Sequence, residues 1–276
     1  MPASLLSHSV QRDSTAGSSL EDGPTPLSTP AAFGEQLSSL YGLVQRSNHV
    51  FASPLGPLRL KGRAFHIPRF VYFGPESSDT SLRLAFLGGV DHRDHRSTLA
   101  LLHLVEGLAI RPDLGNGLNL SFFPIIDLLG LAGIAPDRGL AKENWASSKA
   151  LELGLLEQDA RLRSYHGFIF LESAPGEEEV SVRLRSPKPV ANIAPELEII
   201  SSDDIAPFAV RWETDPSGSL SSGPLGIADD LLQHPFELTL RLPASWSTEL
   251  YREAASSILK RFIIRHRGFI SYAQHL

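Results

Sequence analysis

The run LRLAFLGG, residues 82–89, constrains this chain most strongly. From Leu82 to Leu87 only Arg83 is polar, so the segment does not alternate as a strand with one wet face would. It reads as a strand buried on both faces. Two glycines end it, a polar cluster DHRDHR (91–96) follows, and STLALLHLVEGLA then places Leu99, Leu102 and Val105 at helical spacing. A doubly buried strand feeding a helix requires a sheet covered by helices on both sides.

The rest of the chain repeats the theme. LNLSFFPII (118–126) and FIFLES (168–173) are further strands, and ASSKALELGLLEQDARLRS (146–164) is a helix between them. PFELTLRLP (235–243) alternates Glu237, Thr239 and Arg241 with apolar residues, the pattern of a half-exposed strand, and SWSTELYREAASSILKRFIIRH continues as a closing helix. Shorter β-type runs, HVFAS, PLRLKG and FHIPRFVYF, precede the first buried strand, while EVSVRLR and APFAVRW follow FIFLES. FGEQLSSLYGLVQRS, from Phe33, is helical in spacing, and residues 1–32 are rich in Ser, Thr, Pro and Gly. The expectation is an irregular lead-in over 1–32 and one α/β domain over 33–276, a three-layer α/β/α arrangement around a mixed, mostly parallel sheet. A chain of 276 residues suits one such domain.

Composition removes several function classes. Cysteine is absent, which excludes disulfide scaffolds, thiolate zinc sites and cysteine nucleophiles. A net charge of −6 offers no basic stripe for nucleic acid and no polybasic membrane patch. No apolar run reaches the roughly 18 residues of a spanning helix. The first residues lack a basic segment followed by a long apolar one, so the expected compartment is the cytoplasm.

In covered parallel sheets, sites form at the carboxyl ends of strands. Three places qualify: the cluster after Val90, Glu172 at the end of FIFLES, and Arg241 in ELTLRLP. By chemistry alone Asp91, His92, Asp94 and His95 suit a metal ion, and they equally suit a solvated helix N-terminus where Asp caps amides. Glu172 and Arg241 are unremarkable singly.

Taken in order, strand–GGVDHRD–helix, FFPIIDLLG, GLAKENW, YHGFIFLES, PFELTLRLP and a closing helix resemble the zinc carboxypeptidase family, including its aspartoacylase-like branch. The resemblance covers roughly residues 50–276 and is weakest over 180–230. It implies a zinc-carboxypeptidase-like fold. It also implies which positions carry chemistry. Asp91, Asp94 and Glu172 stand where the family has its His, Glu and His zinc ligands. Arg241 stands at the general base, a Glu in the family. Lys142 replaces the arginine of the segment that holds the substrate carboxylate, with Arg138 and Arg93 as further candidate contacts for an anion. Asp127-Leu128-Leu129-Gly130 replaces an Asn-Pro-x-Gly turn.

Three carboxylates around a divalent ion give a formal charge of −1, which makes bound water a weak acid and favours hard ions such as Mg²⁺, Ca²⁺ or Mn²⁺ over zinc. Arg241 has no proton acceptor to offer. The resemblance, so modified, implies a family-like protein without peptidase activity, a binding or regulatory module for a small anionic or peptide ligand, holding no zinc. Arg241 is expected to reach the three acids and supply the missing positive charge. The alternative is an active metal-dependent peptidase or amidohydrolase whose rearranged site uses His92 and His95, with Glu172 or His166 as third ligand.

Overall fold

A computed structural model describes residues 30–273, apart from 61, 80, 137–139, 141, 186–207, 209, 216–224 and 226–235. Nearly all of the expected lead-in lies outside the described residues, and the first helix, α1 (Pro30–Val44), begins three residues before Phe33.

Four short strands follow: β1 (Val50–Ala52), β2 (Leu55–Leu60), β3 (Arg63–Ile67) and β4 (Phe70–Phe73). The doubly buried strand is β5 (Leu82–Leu87), leading to α2 (His95–Ile110). Then come β6 (Leu118–Phe123), the single turn α3 (Leu128–Leu131), α4 (Leu151–Arg163) and β7 (Gly167–Ala174). The chain continues through β8 (Val180–Arg185), β9 (Val210–Asp215), β10 (Phe236–Pro243) and the long α5 (Thr248–Ala273).

Eight strands form one sheet in the order β1-β4-β6-β5-β7-β10-β8-β9, while β2 and β3 make a separate ribbon. The central four, β6, β5, β7 and β10, run parallel, and β4 and β8 pair antiparallel on either side. The sheet is therefore mixed with a parallel centre, as the sequence implies.

Strand β5 shows why its apolar run is continuous. Leu84 and Phe86 point into a core shared with Leu101 and Leu104 of α2 and Tyr251 and Ile258 of α5. Ala85 and Leu87 point the other way, toward Leu153 and Leu156 of α4 and Leu58 and Ile67 of the β2–β3 ribbon. Each large side chain fully buried this way contributes about 1.5–3 kcal/mol, so neither face tolerates an unpaired charge.

Two expectations shift. Helix α4 starts at Leu151 rather than 146, because residues 142–147 wind into a 3-10 turn. Trp145 anchors that turn, its indole donating to the Leu140 carbonyl at 2.7 Å and its ring set edge-on to Phe170. Strand β10 is not half exposed. Glu237 and Thr239 are buried along with the apolar residues between them, and their polar face is turned to a lysine.

Candidate functional site

The carboxyl ends of β5, β7 and β10 lie together, and the polar side chains there fall into two separate clusters. The first grows from the turn after β5. Gly89 has a φ of +54°, in the region that favours glycine, and a Cβ there would strike the Pro124 carbonyl. Its own carbonyl accepts from the amides of Ile126 and Asp127 at 3.1 and 2.9 Å, tying the turn after β5 to the turn after β6. That junction sets His92 against Asp127.

His92 Nδ1 lies 2.7 Å from Asp127 Oδ2, and the His92 amide donates to the same oxygen at 3.3 Å. The other oxygen of Asp127 caps α3 by accepting from the Gly130 amide at 3.0 Å. Asp127 is fully buried, His92 is 16% exposed and Asp91 is 56% exposed, so the cluster grades from interior to solvent. Asp91 Oδ1 is 3.7 Å from His92 Nδ1 and accepts from the Arg93 amide at 2.9 Å. Gly130 makes room for the pair, since a Cβ there would overlap both Asp127 Oδ2 and His92 Nδ1.

Asp94 turns away from this cluster. It is the N-cap of α2, taking the Ser97 amide at 3.2 Å, and it also accepts from Ser173 at the end of β7, through the amide at 2.9 Å and the hydroxyl at 2.6 Å. One carboxylate thus joins the start of a helix to the end of a strand, which is the capping role the sequence allowed. Behind it Tyr251 is fully buried, and burial, followed by the negative charge of Asp94, pushes its phenol well above 10. His95 opens α2, and its imidazole pKa is lowered chiefly by burial.

The second cluster surrounds Lys142. Its ammonium is buried, 2.5 Å from Thr239 Oγ1, 3.3 Å from Glu172 Oε1 and 3.4 Å from Glu237 Oε1, and it lies 4.5 Å above the centre of the Phe170 ring. Arg185 approaches Glu237 from the far side at 3.8 Å. The parallel register of β7 and β10 sets Glu172 beside Arg241 on the backbone. The Arg241 guanidinium nevertheless pairs with Glu177 in the turn after β7, at 2.5 Å.

This corrects the expected role of Arg241. Among the described residues it contacts none of Asp91, Asp94 and Glu172; the cation facing Glu172 is Lys142. The reason is reach. Glu177 meets the guanidinium from the turn after β7, while Lys142 contacts Thr239 and satisfies Glu172 and Glu237 at once. Nor do the three family ligand positions gather on one point: Asp94 is held by Ser97 and Ser173, Glu172 by Lys142, and only Asp91 remains beside His92. At the positions that the resemblance assigns to ligands, an ammonium lies against Glu172 and Asp94 is engaged as a helix cap. The group of potential ligands that does converge among the described residues is Asp91, His92 and Asp127, without His95.

Of the candidate anion contacts, Lys142 is buried in its ion pairs, Arg93 is exposed with its guanidinium 3.3 Å from the Pro136 carbonyl, and Arg138 lies outside the described residues. Sequence reasoning did not place Glu237 and Thr239 in the site. Their signal was weak: Glu237 and Thr239 alternate with apolar residues alongside Arg241, the pattern of a half-exposed strand. Asp127 was noted only as part of a turn; the glycine three residues on marked it as a cap.

No family model matches this chain, and no curated protein matches it in sequence. Solved structures do. The chain is similar to a metallo-carboxypeptidase from Burkholderia cenocepacia, with a TM-score of 0.66 at 13% identity over 85% of this chain and 69% of that one. It is similar to the carboxypeptidase A of Helicoverpa armigera, with a TM-score of 0.61 at 13% identity over 85% and 72%. An aspartoacylase family protein from Mesorhizobium loti superposes with a TM-score of 0.51 at 14% identity over 78% and 67%. The fold is zinc-carboxypeptidase-like.

Proposed function

We propose that this carboxypeptidase-like protein does not hydrolyse peptides by the family's route and serves as a binding or regulatory module for a small anionic or peptide ligand. One observation carries the reading: the buried Lys142 ammonium lies between Glu172 and Glu237, beside a strand end to which the resemblance assigns a metal ligand. Metal-assisted hydrolysis needs a cation with an open position and a neighbouring proton acceptor. An ammonium has no open position, and a guanidinium at position 241 accepts no proton. The loss of those two terms removes the largest contributions to the rate.

Arg93 is exposed in the turn after β5, its guanidinium 3.3 Å from the Pro136 carbonyl. A ligand carboxylate is the chemistry such a guanidinium greets. No helix among the described residues is long and apolar enough to cross a membrane.

The test is turnover. Purified protein is incubated with C-terminal-blocked and free peptides and with N-acyl amino acids, with Zn²⁺, Co²⁺ or Mn²⁺ added, and with chelator as control. The expected result is no chelator-sensitive release of product, while a panel of N-acyl amino acids raises the melting temperature in a dose-dependent way. Chelator-sensitive hydrolysis of any of these substrates would overturn the reading.

A further inference from the structure

We propose that Asp91, His92 and Asp127 form a binding site for one divalent transition ion, shifted from the ligand set of the carboxypeptidase fold. Only Asp91 occupies a family ligand position; His92 is its neighbour and Asp127 comes from the turn after β6.

The donor atoms are already close. All three lie within 4.8 Å of one another, with His92 Nδ1 2.7 Å from Asp127 Oδ2 and 3.7 Å from Asp91 Oδ1. Ligand atoms each about 2.1 Å from one ion stand at most about 4.2 Å apart. The two measured separations then correspond to angles of roughly 80° and 120° at the ion. Rotation of the Asp91 side chain, over half exposed, closes the remaining distance.

The surroundings are built for a compact group at this point. Asp127 is fixed by its cap to Gly130, which leaves Oδ2 directed at the imidazole. Gly130 lacks the Cβ that would fill the space. Asp91 is held by the Arg93 amide, and among the described residues it pairs with no lysine or arginine. Two carboxylates and one neutral imidazole sum with a divalent ion to zero charge, the balance that a partly buried site favours. One imidazole nitrogen among oxygens favours a transition ion, Zn²⁺ or the harder Mn²⁺, over Mg²⁺ or Ca²⁺. An ion bound through Nδ1 takes the tautomer that carries its hydrogen on Nε2, so the imidazole stays neutral and the Nδ1–Oδ2 contact is replaced by two bonds to the ion.

The test uses the full chain stripped with chelator and titrated calorimetrically with Mn²⁺, Zn²⁺ and Mg²⁺, with metal content measured after gel filtration. One Mn²⁺ or Zn²⁺ per chain is expected, at least tenfold tighter than Mg²⁺. Asp91→Asn and His92→Ala should each weaken it at least tenfold, with the circular dichroism spectrum unchanged. Should His92→Ala melt early, Asp91→Asn, an exposed change, decides alone. No binding at millimolar ion, or binding that both variants leave intact, overturns the site. The site is independent of the non-catalytic reading: an ion held without turnover supports both, and an ion held with turnover overturns only the earlier one.

Discussion

Replacing Lys142 by methionine tests the charge arrangement directly. The methionine keeps the length and the contact with Phe170 and removes only the ammonium. At an effective dielectric constant of about 20, a cation 3.3–3.4 Å from each carboxylate gains roughly 5 kcal/mol per pair before desolvation is counted. The net effect is smaller. Glu172 is 26% exposed and recovers water, whereas Glu237 is fully buried, with Arg185 at 3.8 Å among its partners. Removing one partner of a buried pair costs about 3–5 kcal/mol, and with Arg185 retained the lower end applies. The expected loss is about 3 kcal/mol in urea unfolding, or roughly 6–12 °C in melting temperature for a domain of this size. A second change, Glu237→Gln in the Lys142→Met background, should restore most of it, because no buried charge is then left alone. A loss below about 1 kcal/mol, or no recovery in the double variant, would refute the claim that Lys142 neutralises these acids.

Asp94→Ala should cost about 2 kcal/mol by urea melts, since it removes the cap of α2 and leaves the Ser173 amide without its acceptor. Gly130→Ala should destabilise by a similar amount, about 2 kcal/mol, and weaken ion binding together with it, because its Cβ overlaps His92 and Asp127. Arg241→Ala should cost about 1 kcal/mol or less, as both it and Glu177 keep access to water; a loss as large as that of Lys142→Met would restore Arg241 to a central role. His166 gives a pH dependence. Burial, then the charge of Arg83, lowers its pKa, and its neutral Nδ1 accepts from the Arg83 amide at 3.0 Å. Below pH 6.5 the unfolded chain takes up a proton that the folded one resists. Stability is therefore full above 6.5 and falls as the pH drops toward the lowered folded value, by up to about 1.4 kcal/mol per pH unit. Unfolding free energies at pH 5.5 and 7.5 should show this slope, and His166→Gln should reduce it, with His95 supplying a remainder of the same sign.

The fold was legible because apolar pattern and strand burial are the same physical fact. The unbroken run of β5 and the order of segments after it required a covered parallel sheet, and the solved carboxypeptidase-like structures share that fold. Side-chain pairing was less legible, for a different reason. Whether Arg241 or Lys142 meets Glu172 depends on the direction of approach of a loop some hundred residues earlier, which no local spacing encodes. The alternation in β10 misled for the same cause: a Glu–Thr–Arg stripe looks solvated until the buried partner arrives from elsewhere. Asp94 was readable as a cap from its place before a helix; its grip on Ser173 was not, since that contact spans 79 residues.

The position of β10 has a consequence for synthesis. It follows every other described strand in the chain, yet it lies inside the sheet, between β7 and β8. Until residues 236–243 leave the ribosome, both of those strands expose an open edge with apolar faces, a template for pairing with other chains. The sheet therefore cannot close until β10 has been made, and a pause or truncation ahead of Phe236 would release an intermediate split down the middle.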